Sequence, residues 1–159
     1  MQPLVSVLLP AYRAEATIVA AVQSVLAGGL PADQIEILLE SDDGTPYAAL
    51  RDLPAVSIAC TGAIGTGVGA ARNRALARAK GRFITYIDAD DLWQSGWLAK
   101  ILPLAQSHGA ALSPLYVVEN NVEILRLWQG QPWFTHQEAA QSGASMRGLM
   151  ARLNVSGSE

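Results

Sequence analysis

Apolar runs of strand length alternate along the first hundred residues with segments of helical periodicity. Leu4–Leu9 is apolar apart from one serine and is followed by Pro10, which predicts a buried strand. Over Glu15–Ala27 the apolar residues recur every three or four positions, which predicts a helix that two glycines end. The chain therefore opens with a strand, a helix and a second strand, Ile35–Leu39.

The same alternation continues to about residue 107. Val56–Cys60 and Phe83–Ile87 have the composition of strands, and Gly69–Lys80 is a helix rich in alanine and arginine that Gly81 is expected to stop. A further helix is predicted over Ser95–Ser107, with its first serine as the N-cap. Strands that alternate with helices at this spacing predict an α/β fold with a largely parallel sheet.

The pattern changes after residue 110. Ala111–Val118 and Val122–Trp128 flank Asn120-Asn121, and this arrangement predicts a β-hairpin because asparagine tolerates positive φ. Glu138–Met150 has a weaker helical pattern.

Composition narrows the class of protein. With 159 residues the chain suits one core, and a net charge of −3 gives no electrostatic reason to expect a nucleic-acid partner. Cys60 is the single cysteine, which excludes an internal disulfide and favours a reducing, cytoplasmic compartment. We expect its side chain to be a small core residue. No segment approaches the roughly 18 apolar residues that span a bilayer.

Acidic residues cluster directly after two of the predicted strands. Asp42 and Asp43 follow the second strand, and Asp88, Asp90 and Asp91 follow the fourth. In an open parallel sheet, ligands bind outside the carboxyl ends of the strands. Both clusters should therefore meet at the binding edge, together with the turn after the first strand.

Three carboxylates within four residues repel one another when they are ionised, so the Asp88–Asp91 segment needs a cation or strong donors. Oxygen ligands suit Mg²⁺ or Mn²⁺, which leave coordination positions open for phosphate oxygens. The alternative is an acidic loop that caps the following helix.

Other residues at this edge have a functional and a structural interpretation. Asp42–Thr45 can accept hydrogen bonds from a base or ribose, or form an ordinary turn with its glycine at positive φ. Tyr12 can stack on a base or simply line the surface. Arg72 and Arg74 can meet phosphate or base carbonyls, or be solvated on an alanine-rich helix.

Gly65–Ala71 offers a competing interpretation. Its Gly-x-Gly-x-x-Ala spacing follows a strand and opens a helix, and Asp88 ends the next strand about 20 residues on, as in a dinucleotide-binding fingerprint. The segment lies in the third βα unit rather than the first. In addition, one ribose-binding acid does not explain three clustered carboxylates.

Taken in order, the blocks VSVLLPAYRAEATIVAAVQSVL, EILLESDDGT and GVGAARNRALARAKGRFITYIDADDLW resemble the family 2 glycosyltransferases. The resemblance covers roughly residues 3–100, and ALSPLYVVENNVEILRLW is similar more weakly to the segment that follows. The resemblance implies an α/β fold of the GT-A (Rossmann-like) type, a three-layer sandwich with a mostly parallel sheet. It also implies that this fold is truncated here and that a β-hairpin follows at its C-terminal end. One departure is Glu40-Ser41, which interrupts the apolar strand and makes the register of the acidic turn uncertain.

The resemblance implies an inverting transfer from a nucleotide-diphosphate sugar, with UDP favoured, to an unknown acceptor, assisted by Mn²⁺ or Mg²⁺. Asp42 or Asp43 would hold the base, Arg72 would reach the base or the phosphates, and Asp88 would bind ribose or the metal shell. The full implied nucleotide site comprises Pro10, Ala11, Tyr12, Glu15, Asp42, Asp43, Arg72, Asp88 and Ala89, and the implied metal ligands are Asp90 and Asp91.

The resemblance also suggests how the chain is organised. Residues 1–110 would form the nucleotide-sugar-binding region that ends in the DxD loop, and residues 111–159 would form a hairpin and the start of an incomplete acceptor side. The general base of this family lies on a Glu-Asp pair that is not found after Trp128. We therefore expect the isolated chain to bind a metal–nucleotide complex and to transfer sugar poorly, in the cytoplasm and at the membrane face.

Two other functions stay open from the sequence. A sugar nucleotidyltransferase would need a glycine-rich phosphate loop after the first strand, and PAYRAEAT has no glycine. A non-catalytic remnant of the fold would form a homo-oligomer through its surplus apolar surface, in line with a mean hydropathy of +0.21.

Overall fold

A computed structural model describes residues 2–111, and the backbone of residues 117–119 and 122–124. The chain divides into two units, Met1–Leu112 and Ser113–Glu159. The predicted boundary between residues 110 and 111, with its functional assignment, stays a prediction.

The first unit contains a four-stranded sheet in which every pairing is parallel. Its spatial order is β3-β2-β1-β4, so β1 and β2 are the central strands. The strands are β1 Val5–Ala11, β2 Ile35–Ser41, β3 Val56–Ala59 and β4 Phe83–Tyr86. The predicted parallel α/β sheet is confirmed.

Three α-helices connect or follow these strands: α1 Ile18–Leu26, α2 Val68–Arg78 and α3 Trp97–His108. Two short 3₁₀ turns lie at Ala32–Gln34 and Ala48–Leu50. In the second unit, β5 Val117–Glu119 pairs antiparallel with β6 Val122–Ile124, which confirms the predicted hairpin. The helix predicted over Glu138–Met150 lies outside the described residues.

Alternation along the central strands separates the helices into two layers. Leu9 and Leu39 point to the face that α1 and α3 cover, and both are fully buried there. Their neighbours Leu8 and Leu38 point to the opposite face and pack against Ala75 of α2. Successive side chains of a strand point to opposite faces, so both faces of the sheet are covered. The unit is the predicted three-layer α/β sandwich.

Pro10 does not end β1 as the sequence suggested. The strand continues to Ala11, and Pro10 stands opposite Glu40 of β2. The pairing of β1 with β4 stops at Leu8 and Tyr86, so Pro10 has a paired strand on one side only. A missing N–H is tolerated where one side of the ladder is absent.

Ser95 does not cap α3. The N-cap is Gly96, at φ +72°, and the Ser95 hydroxyl instead contacts the Ala27 carbonyl oxygen at 3.5 Å. Cys60 is exposed, so the expectation of a core cysteine was also wrong. Among the described residues, no helix is long and apolar enough to cross a membrane.

Candidate functional site

The carboxyl ends of the central strands open into a cleft of about 690 Å³. Its walls are the loops after β1, β2 and β4 and the N-terminal end of α2. The lining residues are Pro10, Ala11, Tyr12, Arg13, Ala14, Thr17, Asp42, Gly65, Gly67, Val68, Ala71, Asp88, Ala89 and Asp90. The cleft therefore lies where an open parallel sheet is expected to bind its ligands.

The structure brings most of the predicted site residues to this cleft. Those that line it are Pro10, Ala11, Tyr12, Asp42, Asp88, Ala89 and the predicted metal ligand Asp90. Glu15, Asp43, Arg72 and Asp91 are not part of its lining. Gly65, Gly67 and Val68 also line the cleft and are not among the predicted site residues; the Gly-x-Gly spacing is the sequence signal that marks this wall.

Asp43 shapes the loop after β1. Its carboxylate accepts a hydrogen bond from the Arg13 N–H at 2.6 Å, and also bonds with Ser41 and Thr45. Burial would raise the pKa of Asp43, but these donors hold the pKa below its ordinary value. Because Arg13 adopts a positive φ of 50°, the loop needs such an external partner. Asp43 acts on the cleft through the loop.

Tyr47 also bonds the loop after β1. Its buried hydroxyl accepts a hydrogen bond from the Ala14 N–H at 3.3 Å. Tyr12, at the rim of the cleft, is half exposed, and the Arg13 guanidinium lies 5.1 Å from its ring centroid. An aromatic side chain in the lining of a cleft can stack on a planar ligand.

Asp42 lines the cleft, and its carboxylate is held by the Thr66 hydroxyl, Arg74 and the backbone N–H groups of Thr66 and Gly67. Its Oδ1 accepts from the Thr66 hydroxyl at 2.6 Å and from Arg74 Nη2 at 2.7 Å, and its Oδ2 accepts from the Gly67 N–H at 2.8 Å. The Thr66 hydroxyl, followed by Arg74 and the Gly67 N–H, holds the pKa of Asp42 well below its usual range. Asp42 is therefore ionised and acts as an acceptor at neutral pH.

Glu40, two residues earlier on β2, is a fully buried carboxylate. Its Oε1 accepts from the Thr61 N–H at 2.6 Å and from Arg74 Nε at 3.1 Å, and its Oε2 accepts from Arg78 at 3.1 Å. Burial by itself would raise the pKa of Glu40, yet the Thr61 and arginine donors lower it. The residue that seemed to interrupt the strand is thus the buried anchor of α2.

One N–H group of the glycine loop is bonded within the protein. In a dinucleotide-binding fingerprint the first N–H groups of the helix bind pyrophosphate. Here Gly67, at φ +89°, is the N-cap of α2, and its N–H donates to Asp42. The Gly67 N–H is therefore not available to a pyrophosphate oxygen.

Arg72 is not part of the cleft lining but is bonded to Asp88, which is. Its Nη2 forms an ion pair with Asp88 Oδ1, and its guanidinium lies 4.6 Å from the ring centroid of Tyr86. Arg72 thereby neutralises part of the charge after β4 and holds the Asp88 side chain. The predicted reach of Arg72 to a base or phosphate stays a prediction.

The carboxylates after β4 fit a divalent cation that takes most of its ligands from elsewhere. In the part of the chain that the structure describes, no three His, Cys, Asp or Glu side chains converge on one point. Asp90 is exposed and lines the cleft. Partial desolvation, with repulsion from Asp88 and Asp90, raises the pKa of Asp91, so the segment has uncompensated negative charge. One or two carboxylates plus phosphate oxygens is a common ligand set for Mg²⁺.

The donors to Asp42 predict an acid-sensitive stability. Because its pKa is lowered in the folded state, the stabilisation is present above the unfolded-state value of about 3.9 and is lost as the pH falls further. We expect Asp42→Asn to reduce the decrease in unfolding free energy between pH 5 and pH 3, roughly the range of carboxylate titration. Urea denaturation across this range measures it. Asp33→Asn, at an exposed turn before β2, is the control, and an equal change in both variants would contradict the prediction.

The chain is similar in sequence to known glycosyltransferases. WfgD of Escherichia coli, a UDP-Glc:alpha-D-GlcNAc-diphosphoundecaprenol beta-1,3-glucosyltransferase, is 38% identical over 57% of this chain and 36% of its own length. The putative teichuronic acid biosynthesis glycosyltransferase TuaG of Bacillus subtilis (strain 168) is 34% identical over 70% of this chain and 46% of its own length. The chain thus spans less than half the length of either relative.

The chain also resembles a solved structure and matches a protein family. The crystal structure of S. aureus TarS 1-349 aligns with a TM-score of 0.59 at 23% identity, over 69% of this chain and 33% of the TarS 1-349 chain. This likeness supports the GT-A fold that the sequence predicted. Residues 6–146 match Glycosyl transferase family 2. With most of its length inside that match, the chain belongs to glycosyl transferase family 2.

Proposed function

We propose that this chain forms the donor-binding part of a glycosyltransferase and that its cleft binds a nucleotide-diphosphate sugar, with a UDP-sugar favoured. The observation that carries the proposal is that Asp42 and Asp90 line the same cleft, one after β2 and the other after β4. The first suits a base with ring N–H donors, and the second suits a cation on the diphosphate.

Names of related proteins support the donor class. WfgD is named for UDP-Glc, and TarS has been solved in complex with UDP-GlcNAc and with UDP. A uracil ring has an imide N–H between two carbonyl groups, and an ionised carboxylate accepts from such a donor. The ionised state of Asp42 at neutral pH supports this pairing.

The chain's own residues divide the work of binding. Tyr12 provides an aromatic face at the rim for the base, and Asp88, steadied by Arg72, provides an acceptor for ribose hydroxyls. Asp90, with Asp91 beside it, would hold Mn²⁺ or Mg²⁺. When bound, this cation neutralises negative charge on the leaving diphosphate.

The proposed reaction is a single in-line displacement at the anomeric carbon, with inversion. It needs a general base on the acceptor hydroxyl. Residues 112–159 have no described side chains, so the expectation that the base lies outside this chain stays a prediction.

Calorimetric titration of UDP, GDP and dTDP, with and without Mn²⁺, tests the proposal. We expect Mn²⁺ to strengthen UDP binding on the order of tenfold or more, because a cation held by Asp90 would attract the charged diphosphate. Asp90→Ala should abolish this enhancement and retain the weaker metal-independent binding. Asp33→Ala, at an exposed position before β2, should leave both unchanged.

Absence of nucleotide binding with either metal would overturn the proposal. A stable oligomer of the same preparation would then favour the non-catalytic remnant. Equal Mn²⁺ enhancement in wild type and Asp90→Ala would keep the nucleotide site and remove Asp90 as its metal ligand.

A further inference from the structure

We infer that Arg74 is a positioning residue for the nucleotide site: its guanidinium fixes both the Asp42 carboxylate and the glycine loop that form one wall of the cleft. The inference rests on the proposed function, because it assumes that this wall faces the base. Arg74 itself is not part of the cleft lining and acts through residues that are.

The guanidinium of Arg74 makes contacts in three directions. Nε donates to Glu40 at 3.1 Å, Nη1 to the Thr66 hydroxyl at 2.6 Å, and Nη2 to Asp42 at 2.7 Å. A guanidinium is planar and rigid, so three such bonds fix the relative positions of their acceptors. The side chain is about four-fifths buried, with 18% of its surface exposed, which limits competition from water.

Glu40 holds this arrangement from inside the fold. Its side chain is fully buried on a central strand and bonds both Arg74 and the N–H and hydroxyl groups of Thr61. Thr61 begins the loop before α2, and Thr66 lies near its end. One buried carboxylate and one guanidinium therefore tie the loop at both ends.

The loop needs this polar support because it has little apolar support. Residues 61–69 are all exposed. Gly62, Gly65 and Gly67 adopt positive φ, in which glycine has great conformational freedom to lose. Gly65 and Gly67 nevertheless line the cleft, so their position has to be set by hydrogen bonds.

The same bonds fix the position of the Asp42 carboxylate in the wall of the cleft. Oδ1 accepts from the Thr66 hydroxyl and from Arg74, and Oδ2 accepts from the Gly67 N–H. The Thr66 backbone N–H also bonds this carboxylate. Arg74 therefore shares the orientation of Asp42 with two neighbouring residues of the glycine loop.

Arg78 provides a matched control on the same helix. It pairs with the same Glu40 and bonds the Leu39 carbonyl and Ser57, but it contacts neither Asp42 nor Thr66. Loss of Arg78 removes one ion pair of the buried anchor. Loss of Arg74 removes an ion pair of that anchor and also the two bonds to the wall of the cleft.

The test compares UDP binding to wild type, Arg74→Met, Arg74→Lys and Arg78→Met by calorimetry from pH 4.5 to pH 8, with unfolding free energies measured in parallel. We expect Arg74→Met to weaken binding on the order of tenfold at pH 8, and Arg78→Met to change it less than about twofold. Arg74→Lys, which retains the charge and loses the fork, should fall between them. If Arg74→Met does not fold, the comparison of Arg74→Lys with wild type still tests the inference.

The pH profile distinguishes positioning from a general loss of stability. Arg74 on α2 is the charged group that bonds Asp42, and it also bonds Glu40 on β2. The other donors to Asp42 are Thr66 and the Gly67 N–H. Because Arg74 helps to lower the pKa of Asp42, its removal should raise that pKa. With falling pH, the affinity of Arg74→Met relative to that of wild type should therefore decrease, because Asp42 becomes protonated at a higher pH in the variant than in wild type.

The outcomes separate the inference from the proposed function. A wild type that binds no nucleotide overturns the proposed function and this inference together. A wild type that binds UDP, with Arg74→Met equal to it in affinity and pH profile, overturns the inference alone. Equal weakening by Arg78→Met and Arg74→Met would also overturn it, because the effect would then follow from the Glu40 anchor in general.

Discussion

Replacement of Glu40 by alanine is expected to lower the unfolding free energy by about 3 kcal/mol, because it leaves two arginines without their common carboxylate. Arg74 and Arg78 are mostly buried and both bond Glu40, and the Thr61 N–H would also lose its acceptor. An uncompensated buried charge costs more than the lost attraction itself. Chemical denaturation of the 159-residue chain measures the change.

Glu40→Gln is the matched variant. Its amide oxygen still accepts from Thr61, while the negative charge is removed, so we expect a smaller loss of stability than with alanine. If Glu40→Ala unfolds at the same denaturant concentration as wild type, the carboxylate is not the anchor of α2. That result would also mean that Glu40 does not hold Arg74 in position.

Replacement of Gly81 by alanine is expected to destabilise the fold by about 3 kcal/mol, because the site has no room for a Cβ atom. An added Cβ would lie 2.6 Å from Ser6 Oγ and 2.7 Å from the Val5 carbonyl carbon, and closer still to the Ser6 nitrogen. Two of these atoms belong to the backbone of β1, which is paired on both sides and cannot move aside. A thermal or urea unfolding curve gives the measurement.

Gly69→Ala is the control with the opposite sign. Gly69 lies within α2, and an added Cβ there meets nothing within 4 Å. Alanine is favoured over glycine in a helix by up to about 1 kcal/mol, so this variant should be equal to or more stable than wild type. Similar destabilisation by both substitutions would mean that the close approach at Gly81 is not the cause.

Gly81 also illustrates a limit of inference from local sequence. A glycine after a helical pattern predicts a left-handed C-cap, but α2 ends at Arg78 with Ala79 as its cap. Gly81 does not have a positive φ; it is required by the proximity of β1. The local pattern therefore predicts a glycine here, but the requirement for one comes from a residue 75 positions away.

The acidic residues of the site also show what local sequence predicts and what it does not. Their places after β2 and β4 predicted the edge of the sheet at which the cleft is found. Local sequence did not separate Asp42 from Asp43. In the fold Asp42 lines the cleft, whereas Asp43 turns to the Arg13 N–H. Adjacent residues at a strand end point in different directions, and the loops that meet them decide their partners.

The sequence by itself determined the parallel α/β sheet, the hairpin and the resemblance to family 2 glycosyltransferases, because these depend on periodicity and on motifs read in order along the chain. Only the tertiary structure decided the roles of Glu40 and Arg74. A glutamate in a strand and an arginine on a helix are usually solvated, and their burial against each other depends on how α2 packs across the sheet. Contacts between residues 34 positions apart are set by that packing and have no local signal.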